Sequence, residues 1–344
     1  MISRQETNQL KGFAVLSMLC LHLFCTLTPE FKPLIYVTDV PLVYFIGQAA
    51  DFCVMAYCFC SGYALMARYE SVDNGMAYIK ERLRSLWKFL TNYWIILFLF
   101  VIVAITMGKA TEWLVSPVTF LGNLVTFGYS YNGAWWFVST YIVMVLLSPL
   151  VFKGVKKHPI AVAFAGVLIY ILSYRIRFGW GGNSFVVQHL ARLGMSYAEL
   201  LIGTYFYQYK LMDKIENLWK KIVLKKIQGI LLFLIVLAII VIRRYVATLF
   251  VAPVSGLIFM VAYLLKERNR GNSSSIFSYL GRHSTNIWLI HMFFYMPQYG
   301  GLVYIAKYPL LVLAFLLFIC IIASKFVQTI QSRIERMFKK VVLR

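Results

Sequence analysis

Charge is scarce in this chain. Asp, Glu, Lys and Arg make up 14% of the 344 residues, against 61% hydrophobic, and the mean hydropathy is +0.73. That balance excludes a soluble globular domain. Also missing are an internal repeat, a low-complexity tract and any stretch rich enough in Pro, Gly or Ser to mark a domain boundary. The six cysteines show no CxxC spacing and all fall inside apolar runs, so neither a zinc site nor a disulfide framework is implied and no metal is expected. They read as small apolar fillers. No small-x-small cleavage site follows Leu27, so the first apolar run is expected to be a retained helix rather than a cleaved signal.

What is present is a succession of apolar runs about twenty residues long, the length that crosses a bilayer. They predict an all-α polytopic membrane bundle of about ten spans, near 10–28, 41–67, 87–107, 134–152, 159–175, 193–210, 227–243, 247–265, 283–299 and 302–324. The shorter segment 114–128, broken by Pro117 and Gly122, is expected to be interfacial or re-entrant. With the N-terminus inside, 26 of the 34 Lys and Arg residues fall on the cytoplasmic side and eight on the outer side, which places both termini in the cytoplasm. The net charge of +21 therefore reports topology and attraction to anionic lipid, not a nucleic-acid partner. Residues 1–325 form the transmembrane domain. Residues 326–344 mix apolar and basic side chains at helical spacing and are expected to lie along the inner membrane surface.

The first run, Leu10 to Leu27, carries two basic side chains that insertion alone does not require. Lys11 and His22 are about 16 Å apart along a helix, which would put Lys11 at one surface and His22 just past mid-membrane. An ionisable group at that depth costs roughly 2–3 kcal/mol or more and points to function, although a neutral histidine bonded between helices would also satisfy it. Laid out from their cytoplasmic ends, other spans bring Tyr57, Glu199 and His291 to within about 3 Å of the level of His22. Ser61 lies closer to the cytoplasm and Asp51 toward the outside. A histidine paired with a carboxylate there would form a general base acting on a hydroxyl. Glu199 and His291 could equally be polar contacts between helices.

Five stretches, in order, resemble the motifs of acyltransferase family 3, whose members O-acylate surface glycans from acyl-CoA. They are Lys11-Gly12 with His22, Phe59-Cys60-Ser61-Gly62-Tyr63, the basic run Tyr78 to Arg84, Trp136-Phe137-Val138-Ser139 closing at Ser148-Pro149-Leu150, and Leu280-Gly281-Arg282-His283-Ser284 leading to Trp288-Leu289-Ile290-His291. Two places depart from the family pattern. Lys11 stands where the family usually has Arg, keeping the charge but not the bidentate fork, and the usual Arg-x-x-Arg is shifted, with Arg82 followed by Arg84.

The resemblance implies O-acyl transfer, with acetyl the expected group, from cytoplasmic acetyl-CoA to a hydroxyl of a surface or lipid-linked polysaccharide, in a bacterial cytoplasmic membrane. On that reading His22 is the base and Glu199 and His291 assist. Lys11, Ser61, Arg82 and Arg84 would meet the donor, although a positive-inside bias alone would also place the basic ones there. Trp135, Trp136, Tyr129 and Tyr131 could stack on sugar rings or form an interfacial belt. Two other classes would use similar features: a non-enzymatic transporter or flippase for an amino acid or lipid-linked saccharide, and a polysaccharide polymerase. The first is marked by inverted repeats and paired broken helices, and none is found. The second is expected to carry a large arginine-bearing outer loop, whereas 175–192 is short. The charge count makes a direct prediction: a reporter active only outside the cell is active when inserted between residues 28 and 40 and silent when inserted at Lys156.

Overall fold

The computed structural model describes all residues except 28, 73, 109–115, 183, 246–250, 271–274 and 343–344. The described residues are almost wholly helical, with one two-stranded antiparallel hairpin, β1 Tyr36–Val37 and β2 Val40–Pro41. The helices are α1 Arg4–Phe24, α2 Leu42–Ala49, α3 Cys53–Glu70, α4 Gly75–Thr106, α5 Pro117–Leu124, α6 Trp136–Lys157 and α7 Pro159–Arg175. They continue with α8 Phe185–Gln208, α9 Leu211–Ile222, α10 Gln228–Tyr245, α11 Val251–Arg270, α12 Ser275–Ile290, α13 Met292–Tyr295 and α14 Pro309–Val342. Each expected span overlaps one of these helices, the second α2 and α3 together and the ninth α12 and α13; residues 247–250 of the eighth lie outside the described residues, and the tenth begins on a short 3-10 turn, Leu302–Ala306, ahead of α14. By length and composition, five segments among the described residues can cross a membrane: Leu42–Glu70, Gly75–Thr106, Gly133–Lys157, Pro159–Trp180 and Pro309–Met337. The chain is an all-α membrane bundle. Of the segment expected to be interfacial, Pro117–Leu124 is helical, while residues 114 and 115 lie outside the described residues.

Helix ends follow local sequence. Ser3 accepts from the Glu6 amide and Glu6 answers on the Ser3 amide, a reciprocal cap that starts α1 well ahead of its apolar run. Lys11 is therefore about two turns inside the helix, not at its start, and His22 falls in its last turn. The other end of α1 stops against α2, where Gly47 lets the chain at Phe24 and Cys25 come close: a Cβ on Gly47 would lie 2.7 Å from the Cys25 nitrogen. The final helix runs unbroken from Pro309 to Val342, so the tail from residue 326 continues the last span instead of starting a new element.

Two helix pairs form the centre, each with its helices running parallel. In the first, α1 lies against α12: a Cβ on Gly12 would sit 2.0 Å from the Phe277 carbonyl oxygen, and one on Gly281 1.9 Å from that of Asn8. In the second, α3 lies against α8: Gly62 meets the Leu200 carbonyl at 2.0 Å and Gly203 that of Phe59 at 2.0 Å. Backbones that close need small residues on both faces, since dispersion and packing rather than hydrophobic transfer hold helices together in lipid. Helix α1 joins the pairs by packing Phe13 at a tilt on Phe52, the residue that caps α3, and edge-on against Phe277 of α12.

At the end of the bundle that holds the start of α1, Arg268 of α11 ties three elements. Its Nε donates to Glu6 at 2.5 Å and one terminal nitrogen to Glu216 of α9 at 2.5 Å. Burial alone would raise the Glu6 carboxyl, but the hydrogen bond and charge of Arg268 outweigh it and hold that group below the usual carboxylate range.

The glycine contacts set a test. Gly12→Ala and Gly203→Ala force two backbones apart, and each is expected to cost about 1–3 kcal/mol as overpacking. Gly75→Ala meets open space and should change stability by less than about 0.5 kcal/mol. Thermal melting of the three purified variants in detergent measures both.

Candidate active site

The helix carrying His291 breaks at that residue, and the break organises the site. The His291 amide still bonds back to Ile287, and Phe294 restarts the ladder on the His291 carbonyl. The carbonyls just before the break are satisfied from the side. Trp288 accepts from His291 Nδ1 at 2.8 Å, and Leu289 accepts from Asn132 Nδ2 at 3.0 Å and Trp135 Nε1 at 2.9 Å. In return Trp288 Nε1 donates to the Ala134 carbonyl at 3.2 Å. A carbonyl can only accept, so Nδ1 of His291 carries the ring proton and Nε2 keeps its lone pair. That Nε2 is buried and bonded to nothing among the described residues.

His22 meets this histidine from α1. The two ring centroids are 5.0 Å apart, and the Tyr295 hydroxyl is 3.3 Å from His22 Nδ1. The sequence reading put these two histidines at one depth, and the structure brings their rings into contact. It does not add the carboxylate: among the described residues no Asp or Glu bonds to either ring. A backbone carbonyl and a tyrosine hydroxyl take the orienting role that was expected of Glu199. Glu199 itself is buried on α8, takes a hydrogen bond from Cys58, and keeps Oε2 unbonded on the wall of another cavity. Glu199 thus stands apart from the two histidines, beside Cys58 on α3.

Next to Trp288 is a polar cavity of about 90 Å³ lined by Lys11, Tyr57, Ser61, Tyr141 and Ser284 among others. Lys11 and Ser61 are therefore brought together. The Ser61 hydroxyl donates to its own helix at the Tyr57 carbonyl, 2.7 Å away, while Lys11 has no ion pair among the described residues. Arg82 lies over the Tyr78 ring at 5.4 Å with its Nε buried and unbonded. Arg84 is exposed, two positions and about 200° round the helix from Arg82, and neither arginine lines the cavity.

The four aromatics do not behave as one set. Trp135 and Tyr131 are fully buried, so they neither form a belt nor stack on a sugar. Trp135 packs edge-on against Tyr93 at 4.8 Å and braces the His291 break. Trp136 instead lines a cavity of about 500 Å³ with Asp51, Arg177, Arg192, Glu199 and Arg243. The sequence reading missed this cavity. Its arginines come from three separate segments, and the only signal was their position on the scarce-charge side. A second missed contact is Ser139 Oγ to His189 Nε2 at 2.7 Å, whose ring has no third group at Nδ1.

A family model described as an acyltransferase domain matches residues 5–326. The chain belongs to acyltransferase family 3. It is a multi-pass membrane acyltransferase. No curated protein and no solved structure matches it. In this acyltransferase Tyr295→Phe deletes the one side-chain hydrogen bond to His22 Nδ1 among the described residues while keeping the aromatic ring that lies 6.1 Å from it. It is expected to lower kcat about tenfold or more with little change in KM, because a small loss of alignment is costly in rate. Steady-state kinetics on the purified variant reads the split.

Proposed function

We propose that this acyltransferase is an O-acetyltransferase that moves an acetyl group from acetyl-CoA to a hydroxyl of a surface or lipid-linked polysaccharide, in a bacterial cytoplasmic membrane. The observation that carries the reading is the His22–His291 contact, linked through the Trp288 carbonyl on His291 Nδ1 to a small cavity that Trp288 lines with Lys11 and Ser61. Here Lys11, Ser61 and Arg82 meet the donor from the end of the bundle that the charge count assigns to the cytoplasm. Arg84, exposed beyond them, is an outlying contact for donor phosphates.

His22 takes the proton of the acceptor hydroxyl as its oxygen attacks the thioester carbonyl. A new C–O bond forms, the C–S bond breaks, and the thiolate leaves and recovers the proton from the imidazolium. Tyr295 holds the His22 ring, and the neutral Nε2 of His291 offers a second lone pair close by. Glu199 acts on the acceptor side, in the larger cavity.

The test is transfer from labelled acetyl-CoA into surface glycan in the host, comparing wild type with His22→Ala at equal membrane levels. Loss of label by a factor of about 100 or more supports the reading. Equal label in both removes His22 from the mechanism. No label in either removes the acetyl-CoA donor or the glycan acceptor from the proposal.

A further inference from the structure

The cavity of about 500 Å³ contains more positive charge than it neutralises. Five charged groups line it. Arg243 is ion-paired with Asp51, and its side chain is 10% exposed. Arg177 and Arg192 have no carboxylate partner among the described residues. Arg192 is fixed by stacking over both Tyr129 and Trp136 at 5.2 Å and by donating to the Tyr129 hydroxyl at 2.9 Å. Arg177 is carried on a π-helical turn, Ile176–Trp180, closed by the Gly181 amide on the Ile176 carbonyl at 2.7 Å. Such turns re-aim side chains and recur at functional sites.

All five groups keep a buried atom with no partner: Nη1 of Arg177, Nε of Arg192, Nε of Arg243, Oδ1 of Asp51 and Oε2 of Glu199. Burying an unbonded donor or acceptor costs roughly 1–3 kcal/mol, more when it is charged. Five in one cavity form a pattern a ligand would complete. The donors call for an anionic oxygen group, and the guanidinium fork suits carboxylate or phosphate. The lone acceptors call for hydroxyl hydrogens, and Trp136 and Tyr174 offer ring faces.

We propose that this cavity is the acceptor subsite and that it takes an acidic saccharide, a sugar bearing a carboxylate or a phosphate, with Arg177 and Arg192 on the anion and Asp51 and Glu199 on its hydroxyls. The assignment rests on the glycan acetyltransferase reading and narrows it to anionic acceptors.

Binding to the full-length protein in detergent, followed by tryptophan fluorescence, tests it with three probes: a uronate-containing tetrasaccharide, its carboxyl-reduced neutral counterpart and a glycosyl phosphate. Wild type should bind a charged probe at least tenfold more tightly than the neutral one, and whichever charged probe is preferred names the anion. Arg192→Gln should reduce that preference below twofold, while Arg177→Lys, which keeps the charge, should retain part of it. Thermal melting shows that each variant is folded. Equal affinity for charged and neutral probes, or no binding of either charged probe, overturns the acidic-acceptor assignment. If acetyl transfer to a neutral glycan still depends on His22, only this assignment falls. If labelled acetyl-CoA gives no transfer to any glycan, the broader reading falls whatever the probes do.

Discussion

The architecture depends on carbonyl oxygens seated where a side chain would otherwise be. Gly12 and Gly281 admit each other's helix, as do Gly62 and Gly203, and an added Cβ at any of the four would come within about 2 Å of a backbone oxygen. In water such contacts would be one packing choice among many. In lipid they are a main way for helices to gain over their solvent, because the hydrocarbon is as apolar as the side chains it surrounds. Close approach of α1 to α12 brings Lys11 beside Ser284 and His22 beside His291. Close approach of α3 to α8 brings Glu199 to the wall of the larger cavity. The two pairs of contacts thus set both halves of the candidate site.

The site is made where regular structure stops. His22 is in the last turn of α1, and His291 is the residue at which α12 gives way to α13. A continuous helix would hold its carbonyls in the ladder and leave a histidine side chain free to choose its rotamer. The break frees the Trp288 carbonyl to hold the His291 ring, and Asn132 and Trp135 supply the donors that keep the neighbouring carbonyl satisfied. The turn before α6 is in effect a brace for the imidazole.

Much of this was legible in the sequence, and the gaps have physical reasons. Apolar run length located the helices, and the ordered motifs located Lys11, Gly12, Ser61, Gly62, Gly281, His22 and His291. The start of α1 was not legible because the Ser3–Glu6 cap extends the helix backward, a local hydrogen-bond effect that hydropathy does not register. Arg82 and Arg84 looked equivalent as charges, yet opposite helix faces separate them. Trp135 could not be told from Trp136 by type, although one is sealed in the core and the other lines a cavity. The arginine cavity was hidden because Arg177, Arg192 and Arg243 converge only through tertiary packing.

Helices α4 and α14 contain 32 and 34 residues, about 50 Å each at ~1.5 Å per residue, against a hydrocarbon thickness of ~30 Å. They are fastened to each other outside their most apolar stretches, by Lys88 to Glu335 at 3.4 Å and by Gln331 to the Lys88 carbonyl at 3.0 Å. A helix too long for its bilayer normally adjusts by tilting on its own. These two are joined at that end, so a tilt of one is passed in part to the other. Tyr93 of α4 rests on Trp135, and Ser324 of α14 is bonded to His283 of α12 at 2.9 Å. The two longest helices therefore touch both the turn that braces the His291 break and the helix that leads into it.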